Sequence, residues 1–147
     1  MSNTNFIKEL YSRRQLCAVR FPDKVMAIKF VDSFFEFLFI PEKQKKLSEQ
    51  ELSREFESFR SYLSTLIYDV VGDGIRTQQI ADGFFNEVPL IYAALLKDAA
   101  AILEFDPAAV SIEEVLMAYP GFYATAVHRL SHQLFMQMVP IFAPYFC

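Results

Sequence analysis

Two histidines, His128 and His132, stand four residues apart, the spacing that sets two imidazoles on one helix face. In a metalloprotease helix a glutamate follows the first histidine, and here that place is held by Arg129. No cysteine or carboxylate has a matching spacing nearby, and a protein zinc site needs three or four ligands. The pair therefore reads as structural or interface histidines, and no metal is expected. Asp106 precedes Pro107, an order that ends helices and starts turns. Glu113 and Glu114 follow Ser111 as carboxylates favoured at a helix start by the macrodipole, not as an acid/base pair. Gly72-Asp73-Gly74 is too short and isolated to cradle a phosphate. Cys17 reads as an inert thiol on an apolar helix, and nothing beside Cys147 would activate it. No Ser-His-Asp or Cys-His grouping can be assembled, so no catalytic residue is assigned in this chain.

The bulk properties narrow the function class. A chain of 147 residues is long enough for one sizeable core, and 1–147 reads as a single domain. Apolar residues make up 53% and include sixteen Phe, more than a globular chain usually carries. Some of that surface is expected to face a partner. The net charge of −4, with Lys and Arg scattered, forms no basic stripe and argues against nucleic acid. Two cysteines and no apolar signal region point to reduced thiols in a cytoplasmic protein. The most apolar run, residues 30–40, is about half a membrane span and is interrupted by Asp32 and Glu36. A soluble protein with no membrane partner is expected.

The elements that must position these residues read as all-α, a multi-helix bundle of about seven helices with no sheet. A first helix from Asn3 or Thr4 to about Val19 would turn Phe6, Leu10 and Cys17 inward, with Phe21-Pro22-Asp23 breaking it. A second, from about Asp23 to Ile40, carries two adjacent apolar stripes. One holds Ile28, Val31, Phe35 and Leu38, the other Phe30, Phe34 and Phe37. A helix so widely apolar is central, or shared with another copy, and the second stripe makes Phe30, Phe34 and Phe37 candidate interface residues.

Pro41 stops this helix, a charged loop follows at Glu42 to Lys46, and Ser48 with Glu51 spells a capping box. The third helix places Leu52, Phe56, Phe59, Leu63, Leu66 and Val70 in steps of four and three, and Gly72-Asp73-Gly74 ends it. A short helix from about Thr77 to Asn86 points Ile80 and Phe84 inward and is weakened by Gly83. Pro89 fits the first turn of a further helix with Ile91, Leu95, Ile102 and Phe105 inside. There Ala99-Ala100-Ala101 would admit a close neighbour. Ser111 to Glu114 repeats the capping-box spelling and opens two turns ending near Tyr119. Pro120-Gly121 makes a corner, and the last helix, from about Phe122 to Met138, buries Tyr123, Val127, Leu130, Leu134 and Met138. Pro140 and Pro144 would force an extended aromatic tail.

One stretch carries a resemblance. Asp106 to Ala108, Ser111 to Val115, Ala118 to Ala124, and Arg129 with His132 together match the serine O-acetyltransferases. In that family the match lies where the helical N-terminal domain joins the catalytic domain. His132 takes the place of the family's helix histidine, His128 stands where the family often has Tyr, and neither is its catalytic base. The resemblance implies a parent that transfers acetyl from acetyl-CoA to the L-serine hydroxyl, the entry to cysteine biosynthesis. It implies that Asp106 helps to bind serine, and that helical domains join copies into a homo-oligomer. It also implies a following left-handed β-helix of hexapeptide repeats with an Asp-Ile-His-Pro motif and the acetyl-CoA groove. That part is not found in these residues, so this chain is expected to bind no cofactor and to be inactive alone. The reading from another class is a stand-alone helical interaction module that uses a Phe-rich face.

Overall fold

The computed structural model describes residues 3–16, 24–41 and 46–142, and all regular structure among them is helical. The helices are α1 (Asn3–Leu16), α2 (Lys24–Phe39), α3 (Glu49–Val71), α4 (Gly74–Phe105), α5 (Ile112–Ala118) and α6 (Pro120–Phe142). None of them is long and apolar enough to cross a membrane. The expected break at Phe21-Pro22-Asp23, most of the charged loop, Pro144 and both cysteines lie outside the described residues.

Six helices stand where about seven were expected, because α4 runs unbroken through Pro89. Proline inside a helix removes one backbone donor and crowds the preceding turn. Burial on both sides outweighs that cost: Phe84, Phe85 and Val88 are buried before Pro89, and Leu95 and Ala99 after it. Pro140 likewise lies within α6 and does not start an extended tail.

The predicted ends of α3 hold. Ser48 Oγ accepts the Glu51 N–H at 3.2 Å, and the Glu51 carboxylate accepts the Ser48 N–H at 3.3 Å. Gly72 closes α3 at φ 68°, the left-handed conformation that glycine adopts without a Cβ penalty. Asp73 then caps α4, its Oδ1 accepting the N–H groups of Ile75 at 2.9 Å and Arg76 at 3.3 Å. With only two residues between them, α4 doubles back along α3. Arg60 reaches Asp82 at 2.7 Å and lies 5.2 Å over the Phe85 ring, while Phe56 meets Phe85 edge-on at 5.2 Å.

Helix α2 is central because it feeds two different cores, though not along the two expected stripes: Val31 packs beside Phe30 and Phe34, Ile28 is exposed, and Phe39, in neither stripe, is buried. Phe30 and Phe34 join Leu63, Ile67, Phe84 and Leu130, whereas Phe35 and Phe39 join Leu95, Val115, Phe122 and Ala126. Helix α4 spans both clusters and packs against α3, α5 and α6. Gly83 lies under α6, where a Cβ would collide with the amide of Gln137.

Several facing assignments change. Phe105, expected inside, is 77% exposed, since it is the last residue of α4 and no described element covers that end. Only Ala99 of its alanine run is buried. On α6 the buried line is Phe122, Ala126 and Leu130, while Tyr123 stands beside it, half in solvent. Leu52 and Ile28 are exposed, as are Phe6 and Leu10 on α1, which makes at most slight contact with the other helices.

Candidate functional site

The chain breaks its helix twice between Phe105 and Phe122, and the Asp106 and Glu114 carboxylates of that stretch are held by its backbone. Asp106 ends α4, its N–H donating to the Ile102 carbonyl at 2.9 Å. Its Oδ1 accepts the Ala108 N–H at 2.9 Å and its carbonyl accepts the Ala109 N–H at 3.1 Å. Asp106 is therefore a half-buried carboxylate on a closed turn, with φ and ψ and one carboxylate oxygen already engaged.

The next helix start resembles the predicted capping box in only one of its two bonds. Ser111 Oγ accepts the Glu114 N–H at 3.2 Å, as that spelling requires. Glu114 Oε2 accepts instead from Val110 N–H, at 3.0 Å, so the carboxylate ties the incoming connector and not the cap residue. Glu114 is thereby brought to the same corner as Asp106.

Tyr119 completes the corner from the other side. It closes α5 through its N–H to the Val115 carbonyl at 3.4 Å, and its own carbonyl accepts the Tyr123 N–H of α6 at 3.2 Å. Pro120 then takes the first helical position, where its missing N–H costs nothing. Burial raises the Tyr119 phenol above its ordinary pKa of 10.0, and the charge and hydrogen bond of Asp106, then the charge of Glu114, raise it further. Asp106 and Glu114 thus both act on the Tyr119 phenol, although the three come from a helix end, a first turn and a C-cap.

A cleft of about 350 Å³, lined in part by Tyr119, opens between α2 and the α5–α6 junction. Asp32 and Glu36 face it from α2, with Tyr123 across from them. The Tyr123 hydroxyl donates to Asp32, and its ring meets Phe35 edge-on at 5.1 Å. That bond raises the Tyr123 phenol, with burial and the Asp32 charge adding to it.

The other expected site residues are distributed differently. Phe30 and Phe34, read as interface residues, are 5% and 0% exposed because the chain's own core covers them, and Phe37 is half-buried beside them. Phe30 and Phe34 are thus not open to a second copy. His128 and His132 are exposed, with ring centroids 6.0 Å apart and planes 19° from parallel. Among the described residues no three His, Cys, Asp or Glu side chains converge as a metal group. Arg129, between the histidines, turns the other way and holds Asp98 of α4.

Sequence reasoning missed Tyr119, Tyr123, Asp32 and Asp98 as partners. Asp98 and Arg129 are 31 positions apart and Asp32 and Tyr123 are 91 apart, so no local spacing links them. The one available signal lay in the three aromatic residues around Pro120-Gly121, Tyr119, Phe122 and Tyr123.

No family model and no solved structure matches the chain. It is 38% identical over 68 residues to the protein named serine acetyltransferase, plasmid, of Synechococcus elongatus, covering 46% of this chain and 21% of that protein. A second serine acetyltransferase of the same organism is 43% identical over 51 residues, or 35% of this chain and 21% of the relative. Serine acetyltransferase 5 of Arabidopsis thaliana is 36% identical over 75 residues, again 21% of its own length. The chain thus matches about a fifth of the length of these relatives. Across a third to a half of its residues, this all-helical chain is a sequence relative of the serine acetyltransferases.

Proposed function

We propose that this chain is the helical N-terminal domain of a serine O-acetyltransferase, and that it supports the serine site and joins copies of the enzyme. On this reading acetyl-CoA and the general base belong to a part of the enzyme outside these residues. There the L-serine hydroxyl takes the acetyl group in the first step toward cysteine. The observation that carries the proposal is the fixed corner at Asp106, where two backbone N–H groups, one on Oδ1 and one on its carbonyl, hold the residue in place. A carboxylate held this way can orient the serine ammonium or hydroxyl before attack on the thioester, and orientation of that kind is a large part of a bimolecular rate. In the enzyme that carries this domain, Asp106→Asn is expected to lower kcat/KM for serine by about tenfold or more. It should leave thermal stability nearly unchanged, since an amide oxygen can still accept from Ala108. An unchanged kcat/KM for serine would reduce Asp106 to a helix stop. The chain by itself should release no CoA from acetyl-CoA and serine, and turnover near about 1 per second would refute the domain reading.

The assembly role passes from α2 to α1. With Phe30 and Phe34 covered, α1 offers a cluster of apolar side chains to a second copy, Phe6, Ile7 and Tyr11 each being more than half exposed. The same observation favours the second reading, a helical interaction module with a different protein as partner. Sedimentation of the purified chain separates the two. A dimer or larger that Ile7→Glu dissociates supports copy-to-copy assembly, and a strict monomer at high concentration supports the module.

A further inference from the structure

We propose that His128 and His132 form a surface chelation site for a borderline transition-metal dication, copper(II) first, with solvent completing the coordination sphere. Two imidazoles cannot make the closed three- or four-ligand site of a structural zinc, so the site differs from those the sequence spacing brings to mind. Four observations support an open one. Both rings are exposed on α6, one turn apart, and neither makes a hydrogen bond or ion pair with another described residue. Their nitrogens are therefore free for a ligand. The planes lie 19° from parallel with centroids 6.0 Å apart. Bonds of about 2.0–2.1 Å from each ring to one ion at a right angle would draw the centroids together by roughly 1.5 Å, a change that rotamer adjustment of exposed side chains can supply.

The third observation concerns charge. Arg129 lies between the two histidines in sequence, and a free guanidinium there would repel a dication. Its Nε and Nη2 are instead held by the Asp98 carboxylate at 2.7 and 3.1 Å, on the side that faces α4. The fourth is the absence of a carboxylate at three or four residues from either histidine along α6, where Ala124, Thr125, Ser131, Phe135 and Met136 are among the neighbours. Hard cations that need oxygen ligands therefore gain little, while imidazole suits copper, nickel and zinc. A tetragonal copper(II) takes two neighbouring nitrogens and leaves its remaining positions to water, so it fits best. Bound across one turn, the ion would tie that turn of α6.

The test titrates the untagged chain with Cu²⁺, Ni²⁺ and Mg²⁺ in a Cys17→Ser, Cys147→Ser background, so that thiolates do not compete. The expected result is one copper per chain, nickel binding more weakly, and no response to magnesium. The Cu²⁺ paramagnetic resonance spectrum should show coupling to two imidazole nitrogens. His128→Gln and His132→Gln should each weaken copper at least tenfold and remove the two-nitrogen pattern. Both positions are exposed, so the variants keep the helix, which circular dichroism would verify. Absence of stoichiometric copper uptake would overturn the proposal. So would copper affinity unchanged in both variants, because the ion would then sit elsewhere. A two-to-one chain-to-copper ratio would overturn it too, because a second copy and not solvent would then complete the sphere.

Discussion

Arg129 and Asp98 meet as a two-pronged ion pair, Nε to Oδ2 at 2.7 Å and Nη2 to Oδ1 at 3.1 Å, across the packing of α6 on α4. The hydrogen bond donated to Asp98 is the largest influence on the guanidinium and holds its proton more tightly than usual, with partial burial opposing and the Asp98 charge assisting. A parallel pair of bonds fixes rotation as well as distance, which a single contact does not. The pair is partly exposed, and solvent screening limits its worth to about 1 kcal/mol. Arg129→Ala or Asp98→Ala should lower the melting temperature by about 2–4 °C, and the double variant by little more than either. Full additivity in the double variant would mean that the two residues act independently.

Pro89 offers the opposite sign. It is exposed within α4 and leaves the Phe85 carbonyl without its usual backbone donor. Pro89→Ala should restore that bond and raise stability by about 1–3 kcal/mol, read by chemical denaturation. A loss of stability would show that the surrounding packing depends on a proline-shaped bend.

Phe34 and Phe105 separate core from surface. Phe34 is fully buried and stacks with Phe30 at 5.6 Å, so Phe34→Ala should cost about 3–5 kcal/mol. Phe105→Ala should change stability by no more than about 0.5 kcal/mol, since its ring is already in solvent. A large effect at Phe105 would mean that another surface covers it.

The tyrosine pair sets an alkaline limit. Both Tyr119 and Tyr123 have folded pKa values raised above 10.0, Tyr123 first through its hydrogen bond to Asp32. A raised pKa means that the folded state holds the proton more tightly than the unfolded one. The associated stability is therefore complete below pH 10 and is lost as pH rises through the higher folded values. Phenolate absorbance should show two tyrosines ionising later than the rest, and Tyr123→Phe should remove one of them. If Tyr123→Phe left the late phase intact, the bond to Asp32 would not be its source.

Local features were legible in the sequence. Ser48 with Glu51, Gly72, the turn at Asp106-Pro107 and the entry at Pro120 depend on backbone groups within a few residues, so their spelling carries their geometry. The broadly apolar character of α2 was legible for the same reason, as side-chain spacing on one helix. The motif from Asp106 to His132 likewise pointed to the serine acetyltransferases before any fold was known.

What lay between elements required the tertiary structure. Pro89 reads locally as a helix start, and only burial on both sides of it makes α4 one helix. The same periodicity that marks Phe30 and Phe34 as apolar cannot say whether the covering surface is Leu63 and Phe84 of the same chain or another copy. Asp106 and Glu114 act on Tyr119, and Asp32 meets Tyr123, because residues of α2, α4, α5 and α6 come together there. Periodicity reports which face of a helix avoids water, while the identity of what covers that face is a property of the packed chain.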